Sequence, residues 1–271
     1  MIYSEKSTQS LQDHRFAFLK VKTLGARLKI TLNRSEKKNA IHPVMLNELA
    51  FALYHAKFNA EIWIIELGAE GDVFCSGADL KAMMGDLGEF DSTIPNPEAE
   101  ILLGTLFQSI HKPIIGIVKG DVYAGGLLLL TGCHYVLASQ EIKLGLPETK
   151  RGLFPYQVMA KLLEIMPQKQ VLDWCMRGYT MDALMAKDAG ILSHVFEKTA
   201  IDQELEQLVA ELLLNSPSAI QLGLEAFEKI KSQENHHSYL QEMFIKTLQT
   251  QDAMEGMMAF RQKRKPQWKG K

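Results

Sequence analysis

The chain has 271 residues, a formal net charge of −2, 46% hydrophobic residues and 23% charged residues. These fractions exclude a disordered chain, a collagen-like fibre and a coiled-coil rod, and the near-neutral balance gives no overall field for gripping nucleic acid. The three cysteines, Cys75, Cys133 and Cys175, form no CxxC pair, so a reducing, cytoplasmic setting is expected rather than a disulfide framework or a zinc ribbon.

The stretch Met1 to Lys20 carries Glu5, Asp13, His14 and Arg15 and has no apolar core of a secretory signal. No stretch approaches the roughly 18 apolar residues of a membrane-spanning helix. Ala17 to Val21 and Arg27 to Leu32 read as two strands joined through Gly25. Pro43 opens a helix with Leu46, Leu49, Leu53 and Ala56 at helical spacing. Ile62 to Leu67 is an apolar strand, Gly68 to Asp79 a loop, and a helix begins at Leu80. Gly85 to Pro97, rich in Gly, Asp and Pro, reads as a mobile loop.

A helix from Glu98 to Ile110 and a strand from Ile114 to Val118 repeat the helix-then-strand order. Gly120, Gly125 and Gly126 lead into an apolar helix, and Tyr135 to Ala138 is a further strand. This alternation predicts an α/β fold with crossover units and a largely parallel sheet. After Pro155 the pattern turns helical: Gln157 to Met166, Gln168 to Arg177, Asp182 to Lys187 capped by Thr180, Asp202 to Leu214, Pro217 to Lys231 and Tyr239 to Gln262, with a short strand at Leu192 to Phe196. Apolar stripes such as Leu205, Leu208 and Leu212 need a covering surface, part of which another subunit is able to supply.

Several signatures are missing. There is no GxGxxG, GxxxxGK[ST], GxSxG or HExxH, which removes the usual dinucleotide, P-loop, nucleophile-elbow and zincin readings. His236 and His237 are neighbours that point to different faces, so no metal site is expected.

Three segments carry chemistry. Phe74-Cys75-Ser76-Gly77-Ala78-Asp79-Leu80-Lys81 and Gly120-Asp121-Val122-Tyr123-Ala124-Gly125-Gly126 are glycine-containing turns, each just before a helix. Helix starts expose backbone N–H groups, so two such turns facing each other make an oxyanion hole; the bland alternative is that glycine merely permits tight turns. The third, Gly145 to Pro155, sets Glu148 among Leu146, Leu153 and Phe154, either as a desolvated general base or as a surface carboxylate paired with Lys150 or Arg151.

The order of these segments, with Asn33-Arg34 and Asn39-Ala40 before them, Leu146-Pro147-Glu148 closing the set, and Glu255-Gly256-Met257-Met258-Ala259-Phe260 and Lys263-Arg264-Lys265-Pro266 at the end, resembles the crotonase family, the enoyl-CoA hydratase and isomerase superfamily. The resemblance implies a ββα-spiral acyl-CoA-binding core over 1–200 and a C-terminal helical assembly region over 201–271 that builds homotrimers or hexamers. It implies an acyl-CoA substrate, no cofactor beyond the coenzyme A of that substrate, and thioester oxygen binding by the Ala78 and Gly125 N–H groups. Coenzyme A contacts carry over to Lys38, Asn39 and Ala40, to Asp79, Leu80 and Lys81, and to Phe260 and Lys263, the last two reaching a neighbouring subunit's ligand.

One position departs from the pattern. Where hydratases of the family carry a first catalytic glutamate, this sequence has Leu128; the second glutamate matches Glu148. The single-glutamate pattern resembles the 3,2-enoyl-CoA isomerases, with Glu148 as the one base. The alternatives are a hydratase in which Asp121, Tyr123 or the Gly85 to Pro97 loop supplies the missing group, thioester hydrolysis or decarboxylation by a variant site, and a non-catalytic acyl-CoA-binding subunit.

Overall fold

The computed structural model describes residues 1–230, 246 and 249–271. Strands β1 (Leu19–Leu24) and β2 (Arg27–Leu32) form an antiparallel hairpin through Gly25, whose φ of 58° is the left-handed turn conformation that glycine adopts without a Cβ clash. β1 starts two residues later than the periodicity predicts. The Ala17 and Phe18 N–H groups donate instead to the buried carboxylate of Glu48 on helix α2 (Pro43–Phe58), which follows the short helix α1 (Glu5–Thr8).

The large sheet runs β1-β2-β3-β5-β7-β10, with β3 (Ile64–Ala69), β5 (Ile114–Val118), β7 (Tyr135–Ser139) and β10 (His194–Phe196) parallel to β2. A second sheet contains β4 (Val73–Cys75), β6 (Asp121–Tyr123), β8 (Lys143–Gly145) and the antiparallel β9 (Thr180–Asp182). The large-sheet strands β3, β5 and β7 are each followed by a small-sheet strand and then a helical segment. That is the ββα unit, repeated as β3-β4, β5-β6 and β7-β8 before α3 (Leu80–Met83), α5 (Leu127–Thr131) and α6 (Tyr156–Leu162).

The central strands bury both faces, as apolar parallel strands do. Ile65, Ile114, Val118 and Val136 join a core with Phe74, Val122 and Leu144 of the small sheet and with α2 and α5. Ile64, Ile115, Ile117 and Leu137 point the other way and pack on Ile201, Leu205 and Val209 of α9 (Ile201–Leu213). The stripe on α9 therefore finds its cover on this chain's own sheet.

Several elements differ from expectation for local reasons. The helix read over Glu98 to Ile110 shrinks to α4 (Leu103–Leu106) and a 3-10 turn, because Leu102 offers no side-chain cap and the Glu98 N–H is taken by Ile2 O. The loop Gly68 to Asp79 contains β4, and Thr180 lies in β9. Asp182, not Thr180, caps α8 (Ala183–Asp188) by accepting the Met185 N–H at 2.8 Å, while α7 (Gln168–Arg177) matches its expected bounds. The Gly85 to Pro97 loop stays irregular but is tied down: Arg15 pairs with Asp91 at 3.0 Å, and the Pro95 carbonyl accepts from Tyr3 and Asn47.

Helices α10 (Pro217–Ile230) and α11 (Gln251–Gln262) pack together. Of the helix expected over Tyr239 to Gln262, residues 239–245, 247 and 248 lie outside the described residues, as does the pair His236 and His237. Asp252 on α11 is 1% exposed and accepts from the Ser216 and Ser218 hydroxyls and from the Lys269 and Gly270 N–H groups, at 2.7 to 3.2 Å. This carboxylate fixes the C-terminal residues against the start of α10. Asp252→Ala is expected to lower unfolding stability by about 2–3 kcal/mol, since it removes charge-assisted bonds and strands buried donors; urea denaturation measures it. Among the described residues no helix is long and apolar enough to cross a membrane.

Candidate active site

Strands β4, β6 and β8 are parallel neighbours, so the loops leaving their C-terminal ends are brought side by side. These are the three segments singled out by sequence. Ile41 pairs with Ala78 as a parallel bridge in which the Ile41 N–H donates to Gly77 O and the Asp79 N–H to Ile41 O. In such a bridge the middle residue's own N–H faces away from its partner, which leaves the Ala78 N–H directed to the other side.

The second turn faces the first. Gly77 has φ of 96°, and a Cβ there would stand 2.7 Å from Ala124 Cβ and 3.3 Å from the Gly125 nitrogen. From Gly125, a Cβ would stand 3.8 Å from the Ala78 nitrogen. Ala124 itself takes φ of 53°, a strained value for a residue with a Cβ, at the start of the 3-10 turn Ala124–Gly126.

Both turns open into a cleft of about 650 Å³ whose lining includes Ala78, Gly125, Leu128, Glu148, Leu153 and Phe154. Glu148 begins the 3-10 turn after β8, and its Oε2 is shielded from solvent. Its charge reaches the core behind it: burial first, and Glu148 second, push the Cys175 thiol up to about 11. Glu148 is the one carboxylate among the described lining residues. Leu128, 5% exposed, lines the same cleft.

The other expected contacts separate into two groups. Lys38, Leu80 and Lys81 are exposed around the first turn, and Leu80 lines the cleft. Asn39 is fully buried: its side-chain oxygen accepts the Arg34 N–H, and its amide donates to Glu70 O and Val73 O, all at 2.8 Å. Asp79 caps α3 through the Ala82 N–H and pairs with Arg34 at 2.7 Å, and Ala40 O accepts from the same guanidinium at 3.1 Å. The side chains of Asn39 and Asp79 are thus committed to holding the loop. Phe260 belongs to α11, and its side chain lies outside the described residues; Lys263 is exposed just beyond that helix. Arg264, from the basic segment, pairs with Glu255 at 2.6 Å.

Arg34 is the residue that sequence reasoning under-read. It is 8% exposed, lies over the Phe18 ring at 5.0 Å, and braces Ala78 from the Asp79 side. Burial opposes charge on Asp79, but the Arg34 hydrogen bond and charge and the Ala82 N–H together hold its carboxyl below the usual range. Arg34→Gln is expected to cost about 1–3 kcal/mol of stability, read from urea midpoints, because it leaves Asp79 without its charged partner. Among the described residues no group of three or more His, Cys, Asp or Glu side chains is arranged to hold a metal ion.

The family model described as enoyl-CoA hydratase/isomerase matches residues 25–271. The chain belongs to that family. A probable enoyl-CoA hydratase of Bacillus subtilis is 30% identical over 236 residues, covering 86% of this chain and 91% of its relative. Enoyl-CoA hydratase domain-containing protein 3, mitochondrial, of Xenopus laevis is 28% identical over 243 residues, 89% of this chain and 82% of the relative. Among solved structures, the enoyl-CoA hydratase of Mycobacterium tuberculosis is similar with a TM-score of 0.83 at 25% identity, over 94% of this chain and 100% of that one. The α/β architecture described above is therefore the crotonase fold, and this chain is an enzyme of the enoyl-CoA hydratase/isomerase family.

Proposed function

We propose that this family member shifts the double bond of a 3-enoyl-CoA to the 2 position, using Glu148 as its one base. The observation that carries the reading is the pair of residues in the cleft: Glu148 and Leu128 both line it, and by the resemblance in sequence Leu128 stands at the position of a two-carboxylate hydratase's other acid. Leucine neither accepts nor donates a hydrogen bond, so it does not orient a water.

In the proposed reaction the Glu148 carboxylate removes a proton from the α carbon. The electron pair moves into the thioester, and the Ala78 and Gly125 N–H groups bind the dienolate oxygen. The protonated Glu148 then returns the proton to the γ carbon, which leaves the double bond between the α and β carbons and regenerates the carboxylate. Fixed backbone dipoles stabilise charge that exists only along the reaction, which lowers the barrier rather than merely tightening binding. No cofactor is required beyond the coenzyme A of the substrate, which we assign to the exposed side of the first turn at Lys38, Leu80 and Lys81 and, from a neighbouring copy, to Phe260 and Lys263.

Two of the three replacements offered for the missing acid, Asp121 and Tyr123, are otherwise engaged. Asp121 accepts from the Tyr123 hydroxyl and from the Lys143 N–H, each at 2.8 Å, and neither Asp121 nor Tyr123 is among the described lining residues. The decisive assay follows products from matched 2-enoyl-CoA and 3-enoyl-CoA substrates. Isomerisation well above water addition is expected; hydration at a comparable rate overturns the reading in favour of a hydratase, and binding without any turnover overturns it in favour of an acyl-CoA-binding subunit.

Assembly into homotrimers or hexamers belongs to the same proposal. It is supported by exposed apolar side chains on α7 and α8, Met176 and Leu184 among them, both more than half exposed in the single chain. Light scattering of the purified protein is expected to give a mass of three or six chains.

A further inference from the structure

A second cavity, of about 320 Å³, lies at the far end of α5, against Thr131 to His134. Its lining is mixed: Phe107, Ile110 and Phe227 are apolar, Gln108, His111, Thr131, His134 and Glu228 are polar, and Lys161 and Glu164 pair with each other at 2.8 Å. Among the described residues, Leu128 is the one residue common to the linings of this cavity and of the cleft that holds Glu148. Leu127, Leu129 and Leu130 share the main core with Leu128 but line neither space, so on α5 the partition falls to Leu128.

We propose that Leu128 is the wall that ends the acyl-binding cleft and so sets how long an acyl chain this enzyme accepts, with the cavity beyond it closed to substrate in the native protein. The inference rests on the acyl-CoA reading of the cleft, but not on the proton shift assigned to Glu148. An alkyl chain lying in an apolar cleft gains affinity with each methylene removed from water, about fourfold per group. The gain stops when the chain meets a packed side chain, because protein interiors yield little to an extra methylene. Removing the Leu128 side chain joins the two spaces and moves that stop outward.

The test is calorimetric titration of saturated acyl-CoAs from butanoyl to dodecanoyl into the wild type and into Leu128→Ala. Saturated thioesters do not react here, so an absence of isomerase turnover disproves the Glu148 chemistry without altering this readout. In the wild type, affinity is expected to rise with chain length and then level off. In Leu128→Ala the levelling is expected to come at a chain at least two methylenes longer, with the longest ligand bound more than tenfold tighter than by the wild type. The same break point in both folded proteins, or no levelling in the wild type up to dodecanoyl, overturns the proposal. Leu128→Val, which keeps the helix and removes one methylene, carries the same comparison if Leu128→Ala does not fold: a break at a longer chain supports the wall and an unmoved break refutes it.

Discussion

Glu148→Gln is expected to reduce kcat for the 3-enoyl to 2-enoyl shift by about 10²–10⁴-fold, the range general acid–base catalysis contributes. Glutamine has nearly the same shape and fits the turn after β8, so the cleft and the two facing turns should persist. What it loses is the ability to take a proton and give it back. With one carboxylate among the described lining residues, no other cleft acid is positioned to substitute. In the proposed binding mode the coenzyme A end lies away from Glu148, so KM is expected to change little while kcat falls. An unchanged kcat in a folded Glu148→Gln protein would remove the assignment.

The second large effect is expected at Gly77. Its φ of 96° lies in a region that side chains avoid, and the added methyl of Gly77→Ala would stand 2.7 Å from Ala124 Cβ. The backbone strain and the overpacking together are expected to lower stability by about 2–4 kcal/mol. Function should suffer more than stability. The methyl presses on the turn that carries Gly125, and forcing the two turns apart misaligns one N–H relative to the other. Loss of a single oxyanion-hole donor costs about 10²–10³ in rate, so a fall in kcat of about 100-fold is the expected result, measured beside the thermal midpoint. A stable variant with kcat within twofold of wild type would show that the facing turns do not bind the reacting oxygen. Glu148→Gln and Gly77→Ala separate base from oxyanion stabilisation, because the first keeps the turns and the second keeps the carboxylate.

Much of this was legible in the chain itself. The β2 strand alternates buried Leu28, Ile30 and Leu32 with outward residues, Pro43 opens α2, and Gln168 to Arg177 has the predicted bounds. Each of these is a local signal: side-chain periodicity, the fixed φ of proline, or glycine at a turn. The same locality explains the misses. Nothing near Glu98 says that its N–H is claimed by Ile2 O, and nothing near Ala17 says that a glutamate on α2 will draw that residue out of the hairpin.

Legible within the chain were the repeated strand and helix order, the three loops with their small residues and Glu148, and the leucine at position 128. Tertiary structure alone decided that Gly77 and Gly125 face each other, that Arg34 reaches Asp79 across 45 positions of chain, and that Leu128 stands between two cavities. The physical reason is that strand periodicity and turn chemistry are written within a few residues. Which loop ends meet is set by the parallel register of β4, β6 and β8, a product of the whole core.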